Sequence, residues 1–295
     1  MDEIFGVPVQ MIASQLMLGL VNGAFYAVLS LGLSVVFGLL NVINFAHGAF
    51  YMLGAYVAFM ALTYLGVNYW VALLLTPLIV GLLGIVFEKT LLRHLYKLDH
   101  LYGLLLTFGL TLVLEGTFRA AYGVSGQSYP MPEVLRSSLD LGFMVLPAYR
   151  AWVVAASLLA CGATWFVIER TSLGALLRAG TENPKLVESF GVNVPRMVML
   201  TYAFGVALAA FAGVLAAPVL QVNPLMGSNL LIIVFAVVVI GGLGSTLGTV
   251  ATGVGLGVVE GMTKLVWSEA SSTVVFLIMV VVLLMRPAGL FGKES

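Results

Sequence analysis

Charge is what this sequence has least of. Only 9% of its 295 residues are Asp, Glu, Lys or Arg, where a water-soluble domain carries roughly 25%. A fold of this length in water would need a polar skin, and thirteen basic plus thirteen acidic residues cannot supply one. The two signs cancel to zero net charge, which argues against a nucleic-acid partner. Cysteine occurs once, at Cys161. No internal disulfide can form, and its apolar surroundings read as those of a small core residue. His47 has no second His, Cys or carboxylate near it in sequence, so no metal site is expected. No Gly-x-x-x-x-Gly-Lys-[Ser/Thr] phosphate loop is present; the glycine-rich stretch 241–248 lacks the lysine. The chain is therefore not read as an enzyme, and it needs no cofactor of its own. Met1-Asp2-Glu3 lacks the positive start of a cleavable signal peptide, so the first apolar segment is expected to be retained.

What is there is apolar: 61% of the residues, in long unbroken runs. Lipid must then be the solvent for most of the surface. In lipid every backbone N–H and C=O has to be satisfied within a helix or a closed barrel. A barrel would show short strands of alternating polarity, and the long runs read as helices instead. The expectation is an all-α, polytopic transmembrane bundle, a single domain over 1–295. At about 20 residues per span, candidate spans fall near 14–40, 45–66, 70–88, 101–121, 150–168, 197–220, 229–242, 247–266 and 272–286. The seventh is short, so the expected number is about 8–9.

Basic residues set the orientation. The loop 88–97 carries three, the loop 170–196 carries Arg170, Arg178, Lys185 and Arg196, and the tail carries Arg286 and Lys293. With nine spans these regions share one side, which the positive-inside rule makes cytoplasmic. The N-terminus is then expected outside and the C-terminus in the cytoplasm. The segment 122–149, with Gly123, Gly126, Pro130, Pro132 and Pro147, reads as a structured extracytoplasmic loop. It is either a docking surface or a plain connector.

Two stretches break the helix pattern. One is Gly38 to Gly48, where Asn41, Asn44 and His47 interrupt an apolar run. The other is Gly241-Gly242-Leu243-Gly244-Ser245-Thr246-Leu247-Gly248. Small residues follow each: Gly54, Ala55 and Ala58 in one case, Thr252, Gly253, Gly255 and Gly257 in the other. Paired interruptions about 200 residues apart point to an internal repeat with a transport pathway at its interface. On this reading Asn41, Asn44, His47, Gly241, Gly242, Gly244 and Ser245 line the pathway. The alternative is a pair of tight turns between spans. Glu115 with Arg119, and Glu260 with Lys264, stand four apart on one helix face with the acid first, so each is expected to pair or to line an outer vestibule.

The polar loop 170–196 reads as short helical pieces. Thr181 is expected to cap a helix around Pro184 to Glu188, with Pro184 in its first turn, and Gly191 to end it in a left-handed cap. Leu186, Val187 and Phe190 give that helix an apolar stripe, which either meets a partner protein or lies flat on the bilayer or on its own loops.

Four motifs in order carry a resemblance across essentially the whole chain. They are Asn44-Phe45-Ala46-His47-Gly48 with Leu53-Gly54-Ala55-Tyr56; the loop pattern Arg170-Thr171-Ser172-Leu173-Gly174, Arg178-Ala179, Glu182-Asn183 and Gly191-Val192-Asn193; Gly241-Gly242-Leu243-Gly244-Ser245; and Arg286-Pro287-Ala288-Gly289-Leu290-Phe291-Gly292. The sequence resembles LivH-type permeases, the branched-chain amino-acid permeases of bacterial ATP-binding-cassette importers. That resemblance implies an inner-membrane permease working with a second, LivM-like permease subunit or a second copy of itself. It also implies two cytoplasmic ATP-binding subunits and a periplasmic substrate-binding protein. By the same resemblance Arg178, Glu182, Asn183, Pro184 and Gly191 become ATPase-coupling candidates. The wider family includes urea, short-amide and aromatic-acid permeases, which the motifs do not separate. A secondary carrier or channel without ATPase partners would call for ion-coordinating groups at mid-membrane, and no convincing buried carboxylate is found there.

Overall fold

The computed structural model describes residues 3–4, 7–40, 44–96, 98–142 and 144–292. Asn41, Lys97 and Lys293 therefore lie outside the described residues. The protein is a helical bundle. After a short antiparallel pair, β1 (Glu3–Ile4) and β2 (Val7–Pro8), come α1 (Val9–Leu40), α2 (Ala46–Leu65), α3 (Tyr69–Thr90) and α4 (His100–Tyr122). A hairpin of β3 (Ser138–Asp140) and β4 (Val145–Pro147) leads to α5 (Ala148–Arg170), α6 (Ser172–Glu182), α7 (Pro184–Ser189) and α8 (Val194–Ala216). The chain ends with α9 (Met226–Gly241), α10 (Thr246–Val266) and α11 (Val274–Met285).

Each of the nine expected spans coincides with one of these helices. Six are long and apolar enough to cross a membrane: α1, α2, α3, α4, α5 and α8. The helices α9 and α11 are apolar but short. Most of the spans are apolar around their whole circumference, as lipid-facing or fully buried helices are. The polar residues mark the ends. Gly66, at φ 65°, terminates α2, with Val67 N–H reaching back to Ala61 O at 3.0 Å. Asn68 then caps α3 by accepting from Val71 N–H at 2.9 Å. A left-handed glycine followed closely by an Asn cap turns the chain within three residues. Asp99 opens α4 in the same way, accepting from Leu101 N–H at 2.9 Å.

The described chain divides into two compact units, one formed by Met1–Ser30, Met131–Cys161 and Ile233–Ser295, the other by Leu31–Pro130 and Gly162–Ile232. In the first unit α1 and α10 run antiparallel along a line of glycines. A Cβ on Gly19 would stand 2.6 Å from Gly257 O, one on Gly23 would stand 2.8 Å from Val254 O, and one on Gly253 would stand 2.7 Å from Ala27 Cα. Backbones this close are the lipid-phase solution to helix packing, where no hydrophobic effect draws apolar helices together. In the second unit α8 packs along α2 and α3, and α4 lies on α2. Between α2 and α8 the backbones meet at Gly54 with Ala210 and at Gly213 with Tyr51. Cys161 is buried, as its apolar context indicated.

The segment between α4 and α5 carries local structure among its described residues. It holds the β3–β4 hairpin and a short 3-10 turn, Glu133–Leu135. Within the second unit Gln127 pairs with Val222 as an isolated antiparallel bridge.

Candidate functional site

The polar loop folds into two helices, and its arginines and glycines decide how. In α6, Leu173, Leu176 and Leu177 form one apolar stripe at helical spacing. The helix folds tightly under the end of α5: a Cβ on Gly174 would fall 1.7 Å from Ile168 O. Arg178 Nη1 donates to that same carbonyl at 2.8 Å and pairs with Glu169 at 3.3 Å. A cation on the last carbonyls of a helix satisfies orphan acceptors and the negative end of its dipole. Arg178 thus braces α6 on α5. Gly180, facing Met197 on α8, braces the other end.

The next turn corrects one expectation. Thr181 does not cap the short helix: it is inside α6, and its hydroxyl donates to Arg178 O at 2.6 Å. Asn183 caps α7 instead, accepting from Leu186 N–H at 3.1 Å, with Pro184 in the first turn. An acceptor two residues later sits closer to the N–H groups that need it, and the Thr hydroxyl is taken up by its own helix. Gly191, at φ 81°, follows the helix as expected, its N–H donating to Glu188 O at 2.9 Å. The apolar stripe of α7 divides. Val187 is buried, whereas Leu186 is 53% and Phe190 80% exposed. Leu186 and Phe190 are four apart and share a face; Val187 is turned about a quarter revolution away. Glu182, Asn183, Pro184 and Gly191 are all exposed beside them. Of the five coupling candidates, four are therefore exposed, and the fifth, Arg178, holds α6 on the end of α5.

The first helix break lies in the second unit. Asn44 and His47 are fully buried there. Asn44 Nδ2 donates to Tyr202 Oη on α8 at 3.3 Å, while its Oδ1 accepts from Ala46 N–H at 3.1 Å. Thr107 and Thr111 of α4 engage the backbone of Phe45, one accepting from its N–H at 3.2 Å and one donating to its C=O at 3.2 Å. The start of α2 is thus held by side chains from two other helices, as buried backbone groups require. The His47 ring lies over Gly32 of α1, where a Cβ would meet its Cε1 at 3.0 Å. Elsewhere in the second unit, buried Glu88 accepts from Tyr96 Oη at 3.1 Å.

The second break lies in the first unit and is a tight corner between α9 and α10. Gly242 and Gly244 take φ 99° and 80°, values that L side chains rarely adopt. Ser245 caps α10 through Gly248 N–H at 3.1 Å. A Cβ on Gly241 would strike Gly248 backbone at 2.7 Å. The C-terminal motif closes over this corner: Leu290 N–H donates to Ile240 O at 2.8 Å and Phe291 N–H to Gly241 O at 3.2 Å. Two motifs almost fifty residues apart are one feature in space, which spacing alone does not reveal.

The ionisable pairs behave differently from each other. Glu260 does bind Lys264 at 2.8 Å, and it also accepts from Tyr26 Oη at 2.7 Å. Glu115 instead accepts a hydrogen bond from Ser228 Oγ, and no ion pair joins it to Arg119 among the described residues. Tyr202 and Ser228, partners of Asn44 and Glu115, carry no sequence signal that marks them. Among the described residues no group of three His, Cys, Asp or Glu side chains could hold a metal ion.

Residues 15–284 match the family model described as branched-chain amino acid transport system / permease component. The chain is 32% identical to the high-affinity branched-chain amino acid transport system permease protein BraD of Pseudomonas aeruginosa, over 95% of this chain and 96% of that one. It is 29% identical to LivH of Escherichia coli, with the same coverage of both chains. It is 28% identical to LivM of Escherichia coli, over 90% of this chain and 67% of that one. LivH and LivM bear the same description as BraD. No solved structure matches. A bundle of membrane-length helices, the four ordered motifs and matches running nearly end to end agree: the chain belongs to the family of permease components of branched-chain amino acid transport systems.

Proposed function

We propose that this chain is the permease subunit of an ATP-driven importer of branched-chain amino acids, forming one half of its translocation pathway. The observation that carries the reading is the exposed face of α7. Phe190 and Leu186 are 80% and 53% exposed there, and large apolar side chains in water are what a partner protein covers. That partner is an ATP-binding subunit on the cytoplasmic face, contacted through Glu182, Asn183, Pro184 and Gly191. ATP is bound there, and this chain carries no cofactor. The basic loops then lie inside, the N-terminus outside and the C-terminus in the cytoplasm. A LivM-like subunit, or a second copy, completes the permease, and a periplasmic binding protein delivers substrate at the opposite face.

The test is uptake of labelled leucine by proteoliposomes holding the permease with its ATP-binding and binding-protein partners. Accumulation should require ATP hydrolysis and the binding protein. Accumulation driven by an ion gradient through the permease alone would overturn the reading in favour of a secondary carrier; ATP-dependent uptake of urea or aromatic acids with no leucine transport would overturn the substrate class.

We also assign Asn44 and His47, with Gly241, Gly242, Gly244 and Ser245, to the neighbourhood of the pathway. Polar groups at membrane depth are costly and are kept for function. In the conformation described, Asn44 and His47 are sealed from solvent. With Cys161 replaced by Ser, cysteines at 44 and 47 should react with water-soluble thiol reagents at rates that change with nucleotide. Protection in every nucleotide state would remove both from the pathway.

A further inference from the structure

A cavity of about 390 Å³ lies within the second unit, walled by α1, α5, α6 and α8. Its lining is almost wholly apolar: Val35 from α1, Ile168 from α5, Leu173 and Leu176 from α6, and Leu200 and Phe204 from α8 are representative. Such a space would hold about a dozen groups the size of a water molecule or a methylene. It is not sealed. Leu173 and Leu200 are 61% and 58% exposed, so the wall opens outward along α6 and α8. An apolar void has no use for water, which needs two or more polar partners.

The charges beside the opening are mixed, but the one carboxylate, Glu169, is paired with Arg178 at 3.3 Å. Arg170 follows the lining residue Ile168 by two positions, and Arg196 directly precedes the lining residue Met197. Both are exposed, and neither makes an ion pair among the described residues. The third arginine, Arg178, is engaged by Glu169. The Arg170 guanidinium lies 5.6 Å from the Trp165 ring, which leaves its in-plane N–H groups available. Trp and Arg together at the end of a spanning helix mark the depth of the lipid headgroups. An apolar slot with two exposed, unpaired arginines adjoining its lining residues in the chain matches one class of ligand in both parts.

We propose that this cavity binds an anionic phospholipid, one acyl chain entering between α6 and α8 and the phosphate resting on Arg170 and Arg196. Charge complementarity decides the occupant: a second protein chain could supply apolar side chains, but the arginines at the mouth call for an anion as well. A lipid there would wedge the loop carrying α6 and α7 against the spanning helices. The proposal requires only that the chain spans a membrane, so it stands or falls apart from the transport reading.

The test uses the assembled transporter in phosphatidylcholine nanodiscs doped with phosphatidylglycerol that carries a diazirine on its acyl chain. Irradiation followed by peptide mapping should place adducts in 173–177 and 197–204, severalfold above those from a matching phosphatidylcholine probe. Arg170→Gln and Arg196→Gln should each lower labelling about fivefold. Leu176→Trp, which narrows the slot and leaves the charges, should lower it severalfold; elution of the complex at its normal volume shows that this variant is folded. Equal labelling by the two lipids, labelling unaffected by these substitutions, or adducts confined to other segments or to a neighbouring subunit would each overturn the proposal.

Discussion

Gly213→Leu should leave almost no folded protein to extract from the membrane. A Cβ at this position would stand 2.1 Å from Tyr51 O and 2.9 Å from Ala55 N. Both atoms are backbone, so neither can rotate away as a side chain would. The reciprocal contact is as tight, with a Cβ on Gly54 placed 2.4 Å from Ala210 O. The helices α2 and α8 would have to separate along their whole contact, and α2 also carries His47 in its first turn, with Asn44 just before it. Overpacking typically costs about 1–3 kcal/mol. Forced separation of two helices costs more, against a total stability of about 5–15 kcal/mol. The control is Gly255→Ala. Nothing stands within 4 Å of a Cβ there, and alanine is the better helix former by about 1 kcal/mol. Extraction yield and melting temperature in detergent should collapse for Gly213→Leu and hold or rise slightly for Gly255→Ala. A Gly213→Leu protein that melts like the parent would refute the close approach of α2 and α8.

Phe190→Asp should reduce ATP-driven uptake at least tenfold while leaving the permease as stable as before. The side chain is 80% exposed, so removing it takes little from the fold. If an ATP-binding subunit covers it, a carboxylate in that apolar contact is left desolvated and unpaired, at a cost of several kcal/mol. Val187→Asp separates the two effects, because Val187 is 5% exposed and anchors α7. That variant should lose stability as well as uptake. The measurements are leucine uptake, co-purification with the ATP-binding subunits and melting temperature, taken together. Normal uptake by Phe190→Asp would remove α7 from the coupling path.

The position of α7 shows how far residue pattern reached. Pro184, Gly191 and the polar setting located a short helix correctly, because turn and cap chemistry is local. The capping residue was missed by two positions. Thr181 and Asn183 are both good caps in isolation, and the choice between them depends on where α6 ends. The end of α6 is set by Gly174 packing under α5 and by Arg178 on Ile168 O, contacts with another helix. Glu115 followed the same rule. Its spacing from Arg119 suited a pair, but Ser228 lies within reach from α9, and a partner supplied by the fold displaced the one supplied by the sequence.

The sequence by itself determined that this is a many-helix membrane protein, where each long helix falls, and which loop is polar enough to meet a partner. Those properties follow from composition and short-range periodicity, because the solvent and the helix both act on neighbouring residues. Only the tertiary structure decided what the small and polar residues are for. Gly23 and Gly257, Gly54 and Ala210, Asn44 and Tyr202, and the tail motif with the corner at Gly241 are pairs separated by long stretches of chain. A glycine reads the same whether it frees a turn or admits a neighbouring backbone. The neighbour that distinguishes the two uses comes from elsewhere in the chain, brought there by packing.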